Sequence, residues 1–192
     1  DEACLELGPA RHWPDEPAAT GQRLRRRVRA ELGLSVTVGI ATNRTVAKVA
    51  ADLAKPDGLR VVPPGQEAAF LAPLPVGCLP GIGPHAAQRL RELGVRTLGQ
   101  LAQVPPYGLR LVFGRRAEGV HQRAQGIDPR PVVPEERTPK SIGHERTFHR
   151  DLSDRRGISQ ALRELSEKTA REMRQEGLQG QVVSVKVRFD DF

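Results

Sequence analysis

Apolar and polar positions follow two rhythms along this chain, and the places where the rhythm changes mark its organisation. Residues 3–7 (Ala-Cys-Leu-Glu-Leu) form a short, mostly apolar stretch readable as a strand, and a Pro-rich loop from Gly8 to Pro17 follows. Leu24, Val28 and Leu32 then recur every four residues, the spacing of one helical face. This predicts a helix capped by Thr20 and stopped at Gly33, with Arg25, Arg26 and Arg29 on its solvent face. Val36, Val38 and Ile40 alternate with smaller residues, which predicts a strand. Asn43 can cap a second helix with Val46, Val49, Ala50 and Leu53 on its buried stripe; Pro56-Asp57-Gly58 ends it, and residues 59–62 return as a strand.

From Pro63 to Asp128 no strand rhythm appears. Short helical stretches are predicted at 67–71, 84–93, 97–103 and 107–125, the last with a Gly interruption. Residues 127–140 hold four prolines and read as an extended linker. Residues 141–149 read as a strand, and 158–176 as a helix with Ile158, Leu162, Leu165 and Met173 inward. Val183, Val185, Val187 and Phe189 alternate with Ser184, Lys186 and Arg188, the clearest strand pattern in the chain. The expected fold class is α+β and multi-domain. It comprises an α/β layer, a small all-helical domain and a partial α+β domain.

Composition narrows the picture. Hydrophobic residues make up 38% of the 192 residues but aromatic residues only 4%, so the cores should be small and aliphatic. Cys4 and Cys78 have no second cysteine at metal-ligand spacing, which argues against a zinc site and fits a reduced, intracellular protein. No apolar run approaches membrane-span length and no signal peptide opens the chain; the absence of a starting Met fits a fragment. The net charge of +7 points to a polyanionic partner. Residues 63–126 carry seven Lys/Arg against three Asp/Glu, so +4 of the +7 lies in the helical middle third.

The strongest local motif is Leu79-Pro80-Gly81-Ile82-Gly83-Pro84, followed by an amphipathic stretch from Ala86 to Leu93. Two glycines let a backbone turn sharply and approach another molecule, and Pro84 suits a first helical position. The free amides of such a helix start attract a phosphate. This motif resembles a helix-hairpin-helix DNA-binding element, which makes Gly81, Ile82, Gly83 and Arg89 the candidate DNA-binding set; an ordinary corner with packing glycines is the alternative.

Residues 36–56, VTVGIATNRTVAKVAADLAKP, place Lys48 and Lys55 nearly two helical turns apart on one face, with Asp52 between them. Two cations on one face suit a triphosphate, although solvated lysines are the plain alternative. This segment closely resembles the palm of Y-family DNA polymerases. The resemblance implies that Lys55 contacts the incoming nucleotide's phosphates, with Lys48 near the same site. Asp1-Glu2 at the start resembles the family's second catalytic motif, lacking the serine that usually precedes it. This implies a catalytic and metal-binding role for Asp1 and Glu2, with two Mg²⁺ ions in the complete enzyme. The run Lys140-Ser-Ile-Gly-His-Glu-Arg146 resembles the first strand of the little finger in bacterial polymerase IV-like members, with Lys140 and Arg146 as phosphate contacts.

The order of these matches implies a division into the C-terminal part of a palm (1–75), a thumb (76–126), a linker (127–140) and the start of a little finger (141–192). The family's first metal-binding aspartate would lie before Asp1, and the remaining little-finger strands after Phe192. The implied function is template-directed DNA synthesis past damage. Its implied partners are primer–template DNA, dNTP and, through a region not present here, a sliding clamp. A non-catalytic DNA-binding protein on the same scaffold is the competing reading. A helix-hairpin-helix nuclease would leave the palm-like helix and the little-finger strand unexplained.

Overall fold

Two short parallel strands, β1 (Val38–Ile40) and β2 (Leu59–Val61), pair in the register Val38↔Leu59, Gly39↔Arg60 and Ile40↔Val61. The helix joining them, α2 (Arg44–Leu53), completes a βαβ unit. The computed structural model describes residues 2–8, 15–133 and 139–189. Alternation in β1 decides which helix covers which face. A Cβ on Gly39 would sit 1.9 Å from the Ala47 carbonyl oxygen and 2.4 Å from the Ala51 nitrogen, so the strand lies directly on the α2 backbone. Val38 and Ile40 point the other way, toward α1 (Asp15–Leu32), where a Cβ on Gly21 would come within 2.9 Å of Ile40 and Leu59.

That approach corrects the expected first helix. Thr20 lies inside α1 rather than capping it, because the helix starts at Asp15 and Pro17 falls in the first turn, where proline is tolerated. The face turned inward carries Pro17 and Gly21; Leu24 is 37% and Leu32 66% exposed. Arg25 is not a solvent-face residue either. Its guanidinium donates to the carbonyls of Val36 and Asp57 and to Asp57 Oδ1, and Arg29 takes Asp57 Oδ2, tying α1 to the turn before β2.

In α2, Asn43 caps as expected, its side chain accepting from the Val46 amide at 3.0 Å. Val46, Val49 and Ala50 are buried, but Leu53 is 40% exposed and Thr45 takes its place in the interior. Burying each valine contributes roughly 1.5–3 kcal/mol.

The helical middle comprises α3 (Glu67–Leu71), a 3-10 turn (Val76–Cys78), α4 (Pro84–Glu92), α5 (Leu98–Gln103), α6 (Pro106–Phe113) and α7 (Ala117–Ala124). Gly114, at φ 54°, and a 3-10 turn divide what the sequence suggests as one interrupted stretch. Thr97 and Gln100 form a reciprocal capping box on α5. The core is aliphatic as expected: Val46, Val49 and Val62 join Leu71, Val76, Leu79, Leu90, Leu98, Leu101, Leu109 and Val120 in one cluster, with Phe113 its buried aromatic.

The chain divides into two compact units, Asp1–Val133 and Pro134–Phe192. In the second, α8 (Arg155–Gln175) is capped by Asp154, whose side chain accepts from the Gly157 amide at 2.7 Å. The strands expected at 3–7, 141–149 and 183–189 are not formed among the described residues. A strand exists through its ladder, and these segments have no partner strand there. Val183, Val185, Val187 and Phe189 are therefore 63–93% exposed. Ile158 and Leu162 are exposed as well, leaving Ala161 as the buried residue of α8. The architecture is helix-rich α+β with a small sheet. Among the described residues no helix is long and apolar enough to cross a membrane.

Candidate functional site

A ladder of alternating charge runs along one face of α2 and on past its end. Glu2 Oε1 lies 2.5 Å from Lys48 Nζ; Lys48 lies 3.4 Å from Asp52 Oδ2; Asp52 Oδ1 lies 2.7 Å from Lys55 Nζ. Helical geometry sets Asp52 four residues after Lys48 on one face, but α2 ends at Leu53, so Lys55 does not share that helical face as the spacing suggests; it reaches back to Asp52 from the turn that follows. The hydrogen bond from Lys55 holds the Asp52 carboxyl below its ordinary range, and the bond to Glu2 raises the Lys48 ammonium. All these side chains remain a third or more exposed, so the pairs contribute little stability. They hold two ammonium groups where a polyanion can reach them.

Asp1 lies outside the described residues. Among the described residues no three His, Cys, Asp or Glu side chains gather as a metal-binding group. Glu2 offers the hard oxygen atoms Mg²⁺ prefers, but one carboxylate already engaged by Lys48 does not make a metal site.

The hairpin is built from the 3-10 turn into α4. The Ile82 amide donates to the Leu79 carbonyl at 3.0 Å, and its side chain is only 6% exposed. Ile82 thus anchors the turn from within, and what the hairpin offers a ligand comes from its glycines. Gly81 has φ 92°, a conformation that favours glycine. Gly83, the residue before α4, has φ −76° and open space where a Cβ would be. Among the described residues nothing accepts from the Gly81 or Gly83 amides. Arg89 is exposed on α4. In the second unit Lys140 is exposed, whereas Arg146 pairs with Glu164 at 2.9 Å and stacks on Phe148.

A third cluster lies where the sequence suggests only a linker. Asp128, with its side chain 1% exposed, accepts from Thr45 Oγ1 at 2.6 Å and from Arg130 Nε and Nη2, both at 2.7 Å. Asn43 Nδ2 donates to the Gly126 carbonyl at 2.8 Å, and Thr42 pairs with Glu67. The start of α2 is thereby tied to the segment leaving α7. The visible signal was an acidic residue and Arg130 flanking Pro129, which sequence reasoning absorbed into the proline-rich run.

Residues 1–52 match the impB/mucB/samB family, residues 139–192 that family's C-terminal domain, and residues 77–128 a thumb domain described for DNA polymerase iota. A DNA polymerase IV of Dehalococcoides mccartyi is 42% identical over 193 residues, spanning 100% of this chain and 49% of that protein. A solved Y-family DNA polymerase chimera of Dbh and Dpo4 superposes with a TM-score of 0.73 at 28% identity, over 82% of this chain and 45% of that one.

The chain belongs to the Y family of DNA polymerases.

A second Y-family structure, described as an insertion ternary complex of Dbh DNA polymerase, matches with a TM-score of 0.62 at 27% identity, over 82% of this chain and 46% of that one. The chain spans about half the length of the curated relatives it matches. The lysine ladder begins within the first family-matched stretch, and the hairpin falls within the thumb match.

Proposed function

We propose that the complete protein carries out template-directed DNA synthesis, transferring a nucleotidyl group from a dNTP to a primer 3′-hydroxyl, and does so past damaged template. The observation that carries this is the pair Lys48, on α2, and Lys55, just past its end, both held by Asp52, in a chain of this family. Lys55 neutralises triphosphate charge as it moves toward the leaving group, and Lys48 adds to the same field. Asp1 and Glu2 would hold the two Mg²⁺ ions of the complete enzyme, which when bound would supply charge neutralisation at the phosphates. The hairpin at Gly81 and Gly83, with Arg89, grips the DNA backbone without reading its sequence. Lys140 and Arg146 hold the backbone from a second domain, Arg146 by exchanging Glu164 for a phosphate.

In this reading residues 1–75 are the end of the palm, 76–126 the thumb, 127–140 the linker and 141–192 the start of the little finger. The protein works on chromosomal DNA in the cytoplasm, with a sliding clamp as a partner reached through another region. The family match and the resemblance to a structure described as a ternary complex support primer–template DNA and dNTP as ligands.

The test is Lys55→Ala in the complete protein. Nucleotide incorporation measured in single turnovers is expected to slow by on the order of 10²-fold, with DNA affinity nearly unchanged. An unchanged rate removes Lys55 from the site. A complete protein that binds primer–template DNA but never extends it favours a non-catalytic scaffold instead.

A further inference from the structure

Beneath the hairpin lies a cation to which neither sequence pattern nor family match draws attention. Arg123, near the end of α7, donates through Nε to the Gly119 carbonyl at 2.9 Å and through Nη1 to the Pro80 carbonyl at 2.8 Å. Its Nη1 and Nη2 lie 3.6 and 3.8 Å from where a Cβ on Gly81 would project. Both of these partners are neutral carbonyls, and among the described residues no carboxylate forms an ion pair with Arg123. The one acid whose charge favours it, Asp128, is already bonded to Arg130 and Thr45. Burial first, then the charges of Arg130 and Arg116, lower the proton affinity of the guanidinium.

A half-buried cation without a counter-ion is costly unless an anion arrives. A guanidinium has five N–H donors, so two bonds to carbonyls leave most of the fork free. The free part lies against a glycine turn whose amides are also unengaged.

We infer that Arg123 is a DNA-binding residue of the hairpin: it fixes the turn through Pro80 and presents its remaining N–H groups and its charge to the phosphate held at Gly81 and Gly83. The inference rests on the reading of the hairpin as a phosphate grip. It adds that the grip is built from two parts, the amides of Gly81 and Gly83 and an α7 side chain, so part of the affinity comes from a residue about forty positions away in sequence.

The test measures binding of residues 1–192 to a primer–template duplex across a salt series, for wild type, Arg123→Gln, Arg123→Lys and Gly83→Val. Each phosphate neutralised by a cation contributes about 0.9 to the slope of log K against log salt. Arg123→Gln keeps a donor for the Pro80 carbonyl but loses the charge, so its slope should be about 0.9 shallower, while Arg123→Lys restores it. Gly83→Val fits without strain and serves as the control for the grip itself. If Gly83→Val binds like wild type, the hairpin reading fails. If Gly83→Val weakens binding while Arg123→Gln keeps the full slope, Arg123 is only a strut and this inference alone is overturned. Should Arg123→Gln not fold, arginine-specific modification of wild type with phenylglyoxal decides: duplex DNA is expected to protect Arg123, and equal labelling with and without DNA overturns the proposal.

Discussion

The hydroxyl of Thr45, in the first turn of α2, donates a 2.6 Å hydrogen bond to the carboxylate of Asp128, 83 residues further along the chain. Arg130 closes on the same carboxylate from the solvent side, and together these bonds hold Asp128 well below the usual carboxylate range.

A depressed carboxylate adds stability above its unfolded pKa of about 3.9 and loses that contribution as pH falls toward its lower folded value. Wild type is therefore expected to lose stability on acidification below about pH 4. Asp128→Asn should cost about 2 kcal/mol at pH 7 and show a shallower acid limb, because it has no charge left to lose. Urea melts at pH 7, 4 and 3 check both; parallel acid limbs would remove Asp128 from the account.

Two glycines make a contrasting pair. Gly39→Ala would set a methyl group 1.9 Å from the Ala47 carbonyl, so the strand must lift off α2; a loss of about 3 kcal/mol or more is expected. Gly119→Ala, inside α7 with open space around it, should stabilise by about 0.5–1 kcal/mol. Denaturant midpoints of the two variants should move in opposite directions, and a neutral Gly39→Ala would contradict the packing described.

Residues 1–192 alone are expected to bind DNA weakly, in the range of roughly 10⁻⁴–10⁻⁶ M, without sequence preference and with strong salt sensitivity. Primer extension with Mg²⁺ should be undetectable, since residues 1–192 span only about half the length of the polymerases they match. Extension by the purified chain, abolished by Asp1→Ala, would overturn this expectation.

Legibility followed the range of the interactions. The α2 cap at Asn43, the capping box at Thr97 and the turn at Gly81 are set by neighbours within a few residues, and local pattern reads them directly. The inward face of α1 was misread because Gly21 decides it, by letting the helix approach Ile40 and Leu59 more closely than leucines would allow. Asp128 escaped notice because its partner Thr45 is distant and a proline-rich run looks like a tether. The alternation from Val183 to Phe189 is real, yet alternation describes a surface awaiting a sheet and cannot supply the ladder. At the candidate site, spacing groups Lys48, Asp52 and Lys55, whereas the contact of Glu2 with Lys48 and the end of α2 before Lys55 depend on the fold. Ile82 shows the converse: a motif residue at the centre of the hairpin whose side chain turns out to serve the interior.

The apolar cluster that runs without a break from Val46 and Val49 to Leu90 and Phe113 bears on how this unit comes apart. The helix carrying Lys48 cannot shed its interior contacts while the helix behind the hairpin keeps its own, so the two should open as one cooperative block. Amide protons at the centres of α2 and α4 would then exchange with solvent through a common opening, and a substitution that loosens one helix should speed exchange in the other by the same factor.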